Sequence, residues 1–140
     1  MVSSVLVIDN DVALTELLKA TLEPETFEVH TAPKVEKAIK VIHRFNPDVI
    51  VLDLNLPEKD GWQVCRDIRS FSKIPILVLS VLNKPAAIAQ ALDEGADDYL
   101  IKPVPSGVLI AHLKTLIRRA RAEQIAINSQ SDLGSSIKMD

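Results

Sequence analysis

The stretch VIVLDLNLPEKDGW, residues 49–62, decides the architecture. Val49–Leu52 is apolar without a break and rich in β-branched residues, which is how a strand covered on both faces reads. Asp53 follows at once, an ionisable residue at the end of a buried run. Working outward, four more apolar runs appear: Val5–Ile8, Phe27–Val29, Ile74–Leu79 and Tyr99–Ile101. Val5–Ile8 and Ile74–Leu79 share the continuous pattern. Phe27 and Val29 alternate with Glu28 and His30, as in an edge strand with one wetter face. Between the runs, apolar residues recur at three and four. The sets are Leu14, Leu17, Leu18, Leu22; Val35, Ala38, Ile39, Ile42; Val64, Ile68; Ile88, Ala91, Leu92; and Leu109, Leu113, Leu116, Ile117, Ala120. Each is one face of an amphipathic helix. Pro24, Pro33, Pro47, Pro75 and Pro85 fall between elements or at helix starts, and Gly95 stands where a left-handed C-cap residue is expected. Strand and helix therefore alternate five times, which predicts right-handed crossovers and a parallel sheet.

Composition narrows the class. The chain has 140 residues, 47% of them hydrophobic and 25% charged, the profile of one globular domain. A net charge of −3 argues against a nucleic-acid-binding surface within this segment. The single cysteine, Cys65, supports neither an internal disulfide nor a thiolate metal site. His30, His43 and His112 lack zinc-site spacing. No apolar run reaches the ~20 residues of a membrane span, and no secretory signal is visible, so a soluble cytoplasmic domain without membrane contact is expected. Only 4% of the residues are aromatic, so the core is aliphatic.

In an open parallel sheet, function gathers at the carboxyl ends of the strands. There the sequence offers Asp9-Asn10-Asp11 after the first strand, Asp53 after the third, Ser80 after the fourth and Lys102 after the fifth. Carboxylates held close together repel unless a cation shares the site. Mg²⁺ favours one or two carboxylates with other oxygens and a phosphate. A carboxylate is itself a nucleophile towards phosphorus, and charge on the transferred group needs stabilisers such as a lysine, a hydroxyl and a metal. The pattern reads as an aspartyl-phosphate site.

In VLVIDND (5–11), VIVLDLNLPEKDGW (49–62), PILVLS (75–80) and GADDYLIKP (95–103), the chain resembles the receiver domains of two-component response regulators. The resemblance spans Ser4 to about Arg119. It implies a doubly wound, flavodoxin-like five-stranded sheet of order 2-1-3-4-5. It implies a regulatory domain rather than an enzyme, with Asp53 phosphorylated by a sensor histidine kinase and Mg²⁺ as cofactor. Asp9 matches the first acid of the family's acidic pair, Ser80 the hydroxyl, Lys102 the lysine and Tyr99 the switch aromatic. Asn55 matches the position whose backbone carbonyl ligates the metal. Asn10 departs, standing where the family has a second acid. An amide oxygen still coordinates Mg²⁺, but without charge, so affinity is expected to fall. Asp11 is a candidate to compensate, its rival role being a helix N-cap. Val81 departs too, being larger than the family's residue after the hydroxyl, and is expected to narrow access to Asp53.

The subgroup that the chain resembles most carries a winged-helix output domain and dimerises through the fourth helix, fifth strand and fifth helix. Asp97, Asp98 and Arg119 match its charged contacts. Ile88, Val108 and His112 stand where it has a basic, an acidic and a basic residue, so a partly apolar homodimer face is expected. Residues 1–122 are read as the receiver. From 123 to 140 the composition turns small and polar, which reads as a frayed helix end followed by a linker or disordered tail. SDLGSSIKMD (131–140) resembles the linker and first strand of such an output domain, the alternative being a stand-alone receiver with a disordered tail, and DNA contact is expected only through an output domain absent from this chain. Two rivals are a pseudo-receiver binding module, favoured by Asn10, and a phosphohydrolase of haloacid-dehalogenase type using Asp9-Asn10-Asp11, which leaves Asp53 unexplained.

Overall fold

The computed structural model describes residues 2–138. The chain alternates strand and helix: β1 (Ser3–Ile8), α1 (Val12–Leu22), β2 (Phe27–Ala32), α2 (Val35–Phe45), β3 (Val49–Leu52), α3 (Gly61–Arg69), β4 (Ile76–Ser80), α4 (Pro85–Asp93), β5 (Asp98–Ile101) and α5 (Ser106–Lys138). A short 3₁₀ turn, Glu23–Glu25, leads into β2. The five strands pair in parallel in the order β2-β1-β3-β4-β5, the predicted doubly wound sheet.

Successive strand residues point to opposite faces, and each face gathers its own core. Leu6, Ile8, Ile50, Leu52, Ile76 and Val78 meet α2 and α3 through Ala38, Ile42, Val64, Cys65 and Ile68. Val5, Val7, Val49, Val51, Leu77 and Leu79 meet α1 and α5 through Leu18, Leu22, Leu109, Leu113, Leu116 and Ile117. That double coverage explains the unbroken apolar runs.

Several boundaries differ from the sequence reading, each for a local reason. Strand β2 continues through His30 and Thr31 to Ala32, because all six of its residues find partners along β1. Strand β4 begins at Ile76 rather than Ile74, since the Ile74 carbonyl is taken by the Arg69 guanidinium (2.8 Å). Leu17 and Leu92 satisfy the helical spacing, yet both are exposed. On α1 the inward stripe follows Leu14, Leu18 and Leu22 at intervals of four, and Leu17 lies one residue, about 100°, off that line. Trp62 reads from sequence as loop cover; it packs against the α2–α3 core instead. Helix α5 does not fray near residue 122: its backbone stays helical to Lys138. Arg, Ala, Glu and Gln dominate residues 118–126 and are strong helix formers, while no glycine interrupts before Gly134. Met139 and Asp140, at the end of the expected output-domain start, lie outside the described residues.

One glycine fixes where α3 leaves the sheet. A Cβ on Gly61 would lie 2.4 Å from the Leu54 Cα, and the Gly61 amide donates to the Leu54 carbonyl (3.1 Å). Gly107, by contrast, has open space around it inside the first turn of α5. Gly61→Ala is therefore expected to cost about 1–3 kcal/mol or more. Gly107→Ala is expected to be neutral or stabilising by up to about 1 kcal/mol. Urea denaturation of the two variants checks the contrast.

Candidate phosphoacceptor site

The parallel register brings the strand ends to one edge, and the side chains that follow them converge there. Asp9 follows β1 and Asp53 follows β3, and both are buried, as is Ser80 at the end of β4. The Asp53 amide donates to the Ile8 carbonyl (3.0 Å), which locks the ends of the first and third strands together. Lys102, after β5, reaches between the two acids: its Nζ lies 3.1 Å from Asp9 Oδ2 and 3.8 Å from Asp53 Oδ1. The Lys102 amide donates to the Ser80 carbonyl (2.8 Å), which ties the ends of the fourth and fifth strands together.

Electrostatics follow from this packing. Burial pushes the Asp53 carboxyl above its ordinary range, and neighbouring Asp9 pushes the same way. Lys102 and the backbone amides of Asn55 and Leu54 pull it back. Two carboxylates and one ammonium leave one net negative charge at the edge.

The remaining predicted residues fall around this centre. Asp9 Oδ1 accepts from the Asp11 amide (2.9 Å), which shapes the turn carrying Asn10. Asn10 is exposed at the rim. Asp11 Oδ1 caps α1, accepting from the Leu14 amide (3.1 Å), so its N-cap role is realised. Asn55 lies in the loop after Asp53 and pairs with Asp60 in an isolated antiparallel bridge. Ser80 Oγ accepts from the Leu82 amide (3.2 Å), and the Tyr99 hydroxyl donates to the Leu82 carbonyl (2.8 Å). Hydroxyl and aromatic thus meet on one residue of the β4–α4 loop. Val81 beside them is well exposed.

The side chains expected on a dimer face are disposed differently from the simple charge pattern. Asp98 is engaged within the chain by His112, whose Nδ1 lies 2.6 Å from Asp98 Oδ2. Asp97 Oδ2 accepts from Arg69 Nη2 (2.9 Å) and from the Ile76 amide (2.8 Å). Arg119 is exposed and Ile88 half-buried, while Val108 is exposed together with Leu92 and Ile101. Sequence reasoning missed the apolar contribution of Ile101, because a residue in a strand run is presumed covered. It also missed Arg69, whose role depends on contacts across 26 and 28 residues.

Comparison with known proteins gives this edge its context. Residues 5–114 match the model of the response regulator receiver domain. The chain belongs to that family. It is 38% identical over 120 residues to the transcriptional regulatory protein AfsQ1 of Streptomyces coelicolor, covering 86% of this chain and 53% of that protein. It is 40% identical over 124 residues to the transcriptional regulatory protein KdpE of Staphylococcus aureus, covering 89% and 54%. The chain therefore spans about half the length of these curated relatives. Among solved structures, a two-component response regulator from Clostridium difficile superposes with a TM-score of 0.81 at 36% identity, covering 84% of this chain and 98% of that one. The BeF₃-activated N-terminal receiver domain of Klebsiella pneumoniae RstA gives 0.80 at 34% identity, covering 83% and 99%. The chain is a receiver domain of the two-component response regulators. Among the described residues, no helix is long and apolar enough to cross a membrane.

The raised Asp53 carboxyl has a consequence for stability. A group that holds its proton more tightly when folded burdens the fold once it is ionised. That burden is absent below the ordinary carboxylate pKa and grows as pH rises through the raised one. Asp53→Asn is therefore expected to raise the thermal midpoint at pH 7, and the gain should vanish in acid. Paired melting curves at the two pH values check this.

Proposed function

We propose that Asp53 is the phosphoacceptor, charged by a sensor histidine kinase. The observation that carries this reading is the Lys102 ammonium lying between Asp9 and Asp53 at the strand ends (3.1 and 3.8 Å). A carboxylate oxygen of Asp53 attacks phosphorus, the phosphorus–nitrogen bond to the kinase imidazole breaks, and the imidazole leaves with the bonding pair. Lys102 neutralises charge on the phosphoryl oxygens, and the Ser80 hydroxyl donates to one of them.

The donor set suits Mg²⁺. Asp9 and Asp53 supply carboxylates, Asn55 a backbone carbonyl and Asn10 an amide oxygen, and Mg²⁺ favours one or two carboxylates with water and phosphate completing its shell. Among the described residues no group of three or more acidic, histidine or cysteine side chains gathers to hold a metal. When bound, the ion supplies positive charge to the phosphoryl oxygens. Asp11 contributes one oxygen to its helix cap, which restricts its freedom to compensate.

Phosphorylation is read out through Ser80 and Tyr99, which share Leu82. The dimer face consists of α4, β5 and α5, with Ile88, Val108 and His112 beside Asp97, Asp98 and Arg119. Both acids are engaged by partners in their own chain, so the attraction between copies rests chiefly on apolar residues. The relatives named as transcriptional regulators support a full-length protein that acts on DNA through an output domain beyond residues 1–122.

Incubation with Mg²⁺ and acetyl phosphate followed by intact mass measurement is expected to give a single phosphoryl adduct, lost in Asp53→Ala. An unmodified mass at every magnesium concentration sinks the reading in favour of a pseudo-receiver, the alternative that Asn10 supports. Asn10→Asp is expected to tighten Mg²⁺ binding about tenfold or more by calorimetry, since a full negative charge joins the shell. For the dimer, Ile88→Glu is expected to abolish phosphorylation-dependent association in sedimentation experiments, whereas Arg119→Glu only weakens it. Equal association of wild type and Ile88→Glu would remove the face from consideration.

A further inference from the structure

Helix α4 is anchored unequally at its two ends. Its C-terminal end is tied down by Arg69, which donates to the Gly95 carbonyl from Nε (3.1 Å) and Nη2 (2.9 Å) and also holds Asp97. Ala91 and Ala96 are buried there. At the N-terminal end, Lys84 occupies the cap without a side-chain hydrogen bond, and residues 81–86 are all exposed. Ala91 is the one residue of α4 that is buried. Little apolar burial therefore holds the first turn.

Among the described residues, a single side chain from another helix hydrogen-bonds to that turn. The indole Nε1 of Trp62 donates to the Ala87 carbonyl (3.2 Å). Trp62 is itself firmly held: the Asp60 cap accepts from its amide (2.8 Å), and its ring packs on the core. Gly61, next to it, lies against the Leu54 backbone, one residue beyond Asp53. The bond therefore ties the start of α4 to the segment that carries Asp53. The start of α4 is also joined to the Ser80–Leu82–Tyr99 contacts through the intervening loop.

We infer that the Trp62 indole is a latch, which holds the first turn of α4 in the unmodified state and releases it when Asp53 is modified. This rests on the phosphoacceptor reading. Ser80, drawn towards the modified Asp53, pulls on the 81–84 loop and carries the Ala87 carbonyl out of reach of an indole that α3 holds still. Trp62 is thus a positioning residue acting between the two loops.

The protein has one tryptophan, so the latch carries its own reporter. Beryllofluoride with Mg²⁺ serves as the acyl-phosphate mimic, its binding monitored by fluorine NMR. The single indole N–H resonance should move, and its proton should exchange with solvent faster, once the mimic is bound. In the unmodified protein, Trp62→Phe keeps an aromatic ring and removes the donor. The amides of Ala87 and Ile88, which donate to the Lys84 carbonyl, should then exchange about 3- to 10-fold faster, with α3 and the sheet unchanged. With the mimic bound, wild type and variant should exchange alike. An indole resonance that stays put while the mimic is bound overturns the latch. So does α4 protection that is equal in the two unmodified proteins, or a loss of protection spread evenly through α3 and the sheet. If no mimic binds, the phosphoacceptor reading fails instead, and the comparison of the unmodified proteins still decides whether Trp62 holds α4.

Discussion

The structure turns on an ammonium held between two buried carboxylates. Asp9 and Asp53 close the first and third strands, neighbours in the sheet, and each lies out of water. Like charges so placed are unfavourable without a counter-charge, and Lys102 provides it from the far side of β4. Three separate strand ends must be in register for that contact to form. The apolar runs do this, because a strand covered on both faces cannot slip by one residue without exchanging its two faces. Core packing and site electrostatics are therefore two aspects of one arrangement. The residual negative charge, together with the raised Asp53 carboxyl, describes a site short of positive charge.

Much of this was legible in the sequence because it rests on short-range regularities. The strand-end positions of Asp9, Asp53, Ser80 and Lys102 follow from four apolar runs and the residue after each. The alternation of Phe27 and Val29 with polar neighbours marked β2 as an edge. Asp11 fits the N-cap pattern, and the structure gives it that role. Gly95, marked as a left-handed cap, has φ of 117°.

What escaped the sequence depends on partners distant along the chain. Arg69 looks like one more exposed helix charge, yet its donors reach Gly95 and Asp97. Trp62 has no sequence neighbour that explains its indole proton, whose acceptor lies 25 residues away. Asp97 and Asp98 read as charged contacts of a dimer face, and their partners within the chain, a strand amide and a histidine, are not visible from sequence. The end of α5 is hard to read from sequence for another reason. Small and polar residues look like linker when judged by hydrophobicity, but helix propensity depends on backbone and rotamer entropy and favours Ala, Arg, Glu and Gln.

That uninterrupted helix has a mechanical meaning. Residues 121–130 are exposed, so α5 continues as a projecting rod once its inner face has left the core. From Arg121 to Lys138 it extends about 27 Å at a rise of ~1.5 Å per residue. A rod of this kind transmits angle as well as distance, because each residue turns its far end by about 100°. Removing one residue from the projecting part would leave the receiver intact and rotate whatever the rod bears by more than a quarter turn. Orientation at the far end is thus set by counting residues.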